Sequence, residues 1–266
     1  MLHRTLFVVL VTIPCVMSRH IEHSESRRET PVNENVHRAD DNNDERTGLP
    51  RTHLRLHSKP PRVLQTTEGS NEILECQAGG SPLPRIYWMK NGRQVSQIDP
   101  IDEARPKATN DEARLDIGST SSRLYLDCGT TRDRDEYTCV AENAYHREGT
   151  TTTVRVASST SDEGCTKKDG GQAPRILTWT KTALENQGQD LRVVCRVEGE
   201  PRPRVQWLNP REDRIEENAK FQISMNGDLL IRNLKWKDMG NYICVAENIH
   251  GTARAEAFVY PATPET

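Results

Sequence analysis

Cysteines and histidines are the residues of this 266-residue chain best suited to chemistry, seven of the first and eight of the second. Five histidines (His20, His23, His37, His53 and His57) crowd the N-terminal stretch at irregular spacings, with no cysteine between them. A structural zinc site needs regularly spaced Cys and His ligands, so no metal is expected. His146 and His250 have no serine or cysteine nucleophile motif beside them, and no phosphate-cradling glycine loop or paired-carboxylate motif occurs. Neither catalysis nor a cofactor is expected. Cys15 lies in a segment, Met1–Ser18, that has a basic start (His3, Arg4), an apolar run from Leu6 to Met17 and a small residue placed for cleavage. That is the pattern of a signal peptide. Its removal leaves six cysteines, and an even number in an exported chain suggests disulfides.

Composition narrows the partners. Lys and Arg number 36 against 39 Asp and Glu, for a net charge of −3, so the basic excess of a nucleic-acid binder is missing. No apolar run reaches the ~18 residues a membrane span needs. Only 34% of the residues are hydrophobic and 5% aromatic, so part of the chain should not pack. Residues 19–59 mix both charges and lack aromatic residues, which leaves too little apolar surface to offset chain entropy. A disordered charged arm is expected there. Arg51, Arg55, Lys59 and Arg62 could form a weak heparin-type patch, against the plainer reading of a solvated arm.

Stepping along the remaining chain, one pattern occurs twice. The first copy has Cys76, Gly80-Ser81-Pro82-Leu83-Pro84, Trp88, Asp133, Tyr137 and Cys139; the second has Cys195, Gly199-Glu200-Pro201-Arg202-Pro203, Trp207, Asp238, Gly240, Tyr242 and Cys244. In both, the first cysteine precedes the tryptophan by 12 residues and the tyrosine precedes the second cysteine by two. Leu191, Val193, Cys195 and Val197 alternate with polar positions, as do Val205 and Trp207, Leu229 and Ile231, and Tyr242, Cys244 and Ala246. A period of two marks strands with one buried face. Asn226-Gly227 between two such strands is a hairpin signal, because both positions accept positive φ.

This double pattern resembles the intermediate-set immunoglobulin fold. The resemblance implies an all-β chain: two tandem immunoglobulin-like β-sandwiches after a disordered N-terminal arm. The expected divisions are signal peptide 1–18, arm 19–59, domain 1 at 60–158, linker 159–172, domain 2 at 173–262 and tail 263–266. It also implies that Cys76–Cys139 and Cys195–Cys244 bridge the two sheets of each sandwich with Trp88 and Trp207 against them. Tyr137 and Tyr242 fall where a tyrosine corner belongs. Domain 1 is longer between its cysteines, with a polar excess around Gln97–Gly118 that reads either as a binding loop or as a tolerated excursion. Asp135 stands where domain 2 has Gly240, so a less regular turn is expected there. Cys128 and Cys165 remain. In such a sandwich they fall at the same end, so a Cys128–Cys165 disulfide is expected, with an intermolecular bond or free thiols as the alternatives.

Residues 195–261, with Asn226-Gly-Asp-Leu-Leu-Ile231, Lys235-Trp-Lys-Asp-Met-Gly-Asn-Tyr242 and Phe258-Val-Tyr-Pro261, are similar to the second domain of the secreted insulin-binding proteins of insects, the imaginal-morphogenesis-protein or neural/ectodermal development factor family. That resemblance implies a secreted, extracellular protein, expected to be a monomer, that sequesters insulin-like peptides and antagonises insulin and growth signalling. Such peptides present an apolar receptor-binding surface, so aromatics not needed by the cores are the contact candidates: Trp179, Trp236 and Tyr125. Each could instead pack between domains or shield an edge. The competing reading is a secreted neural recognition, axon-guidance or cell-adhesion protein whose partners are cell-surface immunoglobulin proteins.

Overall fold

The structure, a computed structural model, describes residues 52–95, 114–158 and 170–263. The signal peptide, most of the arm, Cys165 and most of the polar excess of domain 1 lie outside the described residues. Alternating apolar residues set the strands of domain 1: β1 (His53–Ser58), β2 (Val63–Thr67), β3 (Glu72–Ser81), β4 (Arg85–Lys90), β5 (Arg93–Gln94), β6 (Ile117–Leu126), β7 (Glu136–Glu142) and β8 (Arg147–Ala157). Domain 2 follows with β9 (Gln172–Asn186), β10 (Leu191–Val193), β11 (Cys195–Glu200), β12 (Arg204–Leu208), β13 (Phe221–Ile223), β14 (Leu229–Ile231), β15 (Gly240–Asn248) and β16 (Gly251–Ala262).

In domain 1 the sheet β2-β8-β7-β4-β5 packs on β1-β3-β6; in domain 2 the sheet β10-β14-β13 packs on β9-β16-β15-β12, with β11 paired to β9. The expected arm reached residue 59, and here the structure corrects the reading. His53–Ser58 pair with β3 as an edge strand, and Leu56 is buried in the first core. Two leucines spaced by two, Leu54 and Leu56, give this polar stretch enough apolar surface for one edge of a sheet.

Each core closes over one disulfide. Cys76–Cys139 lies with Leu74, Trp88, Leu124, Val154 and Val156, and Cys195–Cys244 with Trp207, Leu229, Ile231, Leu234 and Val259. Loops of 63 and 49 residues are closed, which stabilises each sandwich by roughly 4 kcal/mol on the chain-entropy model. The buried indoles find partners: Trp88 Nε1 donates to Ser122 Oγ at 3.1 Å and Trp207 Nε1 to the Gly227 carbonyl at 2.8 Å. Burying an indole N–H without one would be costly.

The two sandwiches are not beads on a linker. β6 of domain 1 pairs antiparallel with β9 of domain 2, from Ile117↔Leu184 to Ser122↔Thr178, and fuses their sheets into one of eight strands. At the outer edges, side chains occupy strand amides that would otherwise face solvent: Leu56 N donates to Glu148 and Ile223 N to Glu217. Carboxylates placed this way blunt an edge against pairing with another chain.

Candidate functional site

The junction is built from short hydroxyl side chains. Ser119, Thr120, Ser121 and Ser122 of β6 are buried, and a buried hydroxyl must be hydrogen-bonded. Ser119 Oγ meets Thr182 Oγ1 at 2.8 Å, Ser122 Oγ meets Thr178 Oγ1 at 3.0 Å, and Thr120 Oγ1 donates to the Pro84 carbonyl at 2.6 Å. Small side chains let the strands of two domains approach. At Gly118 the approach is closest, since a Cβ there would collide with the Thr182 carbonyl oxygen.

Charges close both ends of this seam. Arg114 donates to the fully buried Glu185 at 3.0 Å and to the Asp190 carbonyl at 2.9 Å; Glu185 also accepts the Leu115 and Asn186 amides. A buried carboxylate with this many donors is compensated, and removing Arg114 would leave it strongly destabilising. At the other end Arg175 grips Asp127 with Nη1 and Nη2 and lies 4.5 Å above the Tyr125 ring, while Arg123 lies 4.8 Å above the Trp179 ring. The bonds to Asp127 raise the Arg175 pKa against the opposing effect of burial. Glu198 beside it titrates above its ordinary range, because burial outweighs the Arg175 charge.

This geometry sorts the three aromatic candidates. Trp179 is 6% exposed and packs in the second core, which corrects its reading as a partner contact. The β-bulge between Ser119 and Thr120 lets β9 pair with both domains while Trp179 stays on the inner side. Tyr125 is covered by Arg175 and serves the junction. Trp236 alone stands out, 51% exposed in the turn before β15, with its ring 5.8 Å from that of Tyr260.

Trp236 borders a surface not foreseen from the sequence. Inward positions of β15 and β16 are core residues (Tyr242, Cys244, Ala257, Val259). Their outward neighbours are mixed: Ile243, Phe258 and Tyr260 are apolar, while Asn241 and Glu256 lie between them. Rows of cross-strand pairs on the outer side run Leu208–Ile243–Glu256, Asn241–Phe258–Thr182–Ser119 and Tyr260–Leu184–Ile117, so the last two cross the domain boundary. Phe258 is 39% exposed and the other apolar members are half-buried or less. The result is a shelf with an apolar end, where Phe258 and Tyr260 meet Leu184, Ile117 and the bordering Trp236, and a mixed end, where Glu256 and Asn241 separate Ile243 and Leu208 from it. Its signal in the sequence was the unbroken run Ala257-Phe-Val-Tyr260, apolar on both strand faces where one alternating face would suffice.

The remaining readings divide. Tyr242 forms its corner, its hydroxyl donating to the Asp238 carbonyl at 3.0 Å, and burial raises its pKa well above that of a free phenol. Tyr137 instead lies under Lys90, whose ammonium is 5.2 Å from the ring centre. Cys128 is disulfide-bonded; Cys165, its expected partner, is outside the described residues. Cys128 (φ 51°) and Asn233 (φ 47°) share the left-handed conformation at the matching position of each domain, where asparagine is the easier occupant. The turn at Asp135 is as regular as its counterpart, a single 3-10 turn in both domains. Asp133 accepts the Thr130 amide and hydroxyl; Gly240 is needed because its φ is 139° and a Cβ there would meet Pro210, whereas Asp135 is not in the positive-φ region.

Similarity to known proteins follows the same outline. The immunoglobulin I-set domain matches residues 56–156 and 174–260. Neural/ectodermal development factor IMP-L2 of Drosophila melanogaster is 32% identical over 80% of this chain and 78% of its own length. Zwei Ig domain protein zig-4 of Caenorhabditis elegans is 30% identical over 74% and 76%. The crystal structure of IMP-L2 aligns with a TM-score of 0.66 at 31% identity, covering 81% of this chain and 97% of that one. The chain belongs to the immunoglobulin I-set family and, within it, to the two-domain group that includes IMP-L2, whose members are binding proteins and not enzymes.

Proposed function

We propose that the protein is a secreted, extracellular binder of insulin-like peptides that holds the hormone on the apolar end of the shelf and so withholds it from its receptor. The shelf carries this reading. Phe258 and Tyr260, with Leu184 and Ile117 in the same row, offer apolar aromatic area on a sheet stiffened by its pairing with domain 1, and apolar aromatic area on a rigid support is what a peptide's apolar face buries best. Trp236 adds an indole at the border. No helix among the described residues is long and apolar enough to cross a membrane, which fits a diffusible binder.

Titration calorimetry of the mature chain against insulin and insulin-like growth factor peptides tests it. Saturable binding with a negative heat-capacity change is expected, weakened at least tenfold by Phe258→Ala and by Trp236→Ala. Absence of heat at micromolar concentrations would overturn it. A second reading, neural recognition or adhesion, draws on the exposed loop tips Tyr145 (66%) and Ile249 (83%). Sedimentation separates the two: a monomer supports the hormone trap, strong self-association the adhesion role.

A further inference from the structure

The turn before β15 carries a feature that an apolar hormone surface does not require. Lys235 and Lys237 flank Trp236, and all three side chains are exposed. The turn beneath them is fixed from several sides. Asp238 accepts the Lys235 amide at 2.8 Å and the Lys220 ammonium at 2.5 Å, the Tyr242 hydroxyl bonds to the Asp238 carbonyl, and the Trp236 amide donates to Gln187 at 3.2 Å. A platform held this way presents its side chains without first having to be ordered.

Charge accounting singles out the two lysines. Four cations meet here (Lys220, Arg232, Lys235 and Lys237), with two carboxylates, Asp238 and Asp190. Lys220 is paired with Asp238 and Arg232 with Asp190. Among the described residues no carboxylate lies within ion-pair distance of Lys235 or Lys237, so the exposed tip keeps both charges although the whole chain is net negative. The indole between them is crossed by Tyr260 at 80° rather than stacked upon, which leaves indole surface open to solvent.

We propose that Lys235, Trp236 and Lys237 form a binding site for sulfated polysaccharide of the extracellular matrix. A sugar ring offers a face of C–H bonds that packs flat on an indole, while sulfates on either side meet the ammonium groups. Lysine is depleted in protein–protein interface cores, so two of them beside one aromatic fit a flexible polyanion better than a folded partner. The equivalent turn of domain 1 has Thr130, Thr131 and Arg132 in these places and lacks the aromatic.

The test uses a heparin dodecasaccharide titrated into the mature chain at several salt concentrations, with no hormone present, so that its outcome does not depend on the hormone reading. Binding to a linear polyanion weakens with salt in proportion to the charges neutralised. The double variant Lys235→Ala/Lys237→Ala should lose at least tenfold in affinity and lower the salt slope by about two, roughly one per lysine. Trp236→Ala should lose about fivefold with the slope unchanged, and Trp236→Phe should recover most of that; the magnitude is that of a stacking contact. Melting curves of all variants should match the parent, because none of these side chains is buried. The inference fails if the lysine variant binds as the parent does, which would place any binding in the arm with Arg51, Arg55, Lys59 and Arg62. It fails equally if Trp236→Ala has no effect, or if phosphatidylserine vesicles are bound while the dodecasaccharide is not.

Discussion

Thr130–Asp135 in domain 1 and Lys235–Gly240 in domain 2 occupy the same place in the two sandwiches, between the left-handed residue that follows β6 or β14 and the strand that carries the second cysteine. Both wind once into a 3-10 turn, and in both an aspartate three residues on accepts the first amide. The difference is where the aspartate sits. Asp238 is 6% exposed, bonded to Lys220 and roofed by the Tyr242 corner. Asp133 is more open and shares Lys90 with the ring of Tyr137. The same local device is thus part of the core in one domain and a surface cap in the other. A turn anchored from below leaves its outward residues free of structural duty, which is why domain 2 can carry an exposed tryptophan there.

Truncating the two aspartates would break this comparison most directly. Asp238→Ala removes the counter-charge of Lys220, leaving it only the Asn233 carbonyl, and removes a buried acceptor; it should destabilise domain 2 by about 3 kcal/mol. Asp133→Ala should cost about 1 kcal/mol, the worth of a surface cap. Chemical denaturation read by domain-resolved hydrogen exchange distinguishes them; equal losses would show that burial is not what separates the turns. The tyrosines come next. Tyr242→Phe should cost about 1 kcal/mol, since its hydrogen bond is buried, and Tyr137→Phe less than half of that.

Acid gives a smaller effect with a definite sign. Burial alone would raise the Asp133 pKa, but the Thr130 amide and hydroxyl together with Lys90 lower it below the ordinary 3.8. A carboxylate whose pKa falls on folding contributes its stability above the unfolded value and loses it as pH drops through the folded one. Domain 1 of the parent should therefore lose melting temperature below about pH 4 more steeply than that of Asp133→Asn, measured by calorimetry from pH 6 to 2. The smallest change in stability is expected from exchanging the outward residues. Trp236→Thr and Thr131→Trp should each stay within about 0.5 kcal/mol. The first should nonetheless weaken hormone and dodecasaccharide alike, whereas the second should confer neither.

Much of this was legible in the chain because the core obeys local rules. A cysteine and a tryptophan 12 residues apart, and an alternation of Leu191, Val193 and Cys195, are statements about one strand and its neighbour. The seam between the domains obeys no such rule. Ser119-Thr-Ser-Ser122 has no apolar residue to mark it as buried, and neither do Thr178, Thr180 and Thr182; only their meeting across the boundary accounts for both. Trp179 misled for the same reason. A residue near a domain's start reads as exposed until another domain's arginine lies over it. The shelf was hidden because an unbroken apolar run such as Ala257-Phe-Val-Tyr260 has no period to show which face is core and which is surface.

The ladder between β6 and β9 also changes what the connecting segment is for. In a string of independent modules the peptide between two domains is their only tie, and its length and stiffness set how they move. Here the tie is hydrogen-bonded backbone, hydroxyl pairs and the Arg114–Glu185 contact, none of which needs an unbroken chain. The two sandwiches can in principle be supplied as separate polypeptides and recombine across that seam. A cut in the segment between the domains would then leave a protein of two chains with its surface intact.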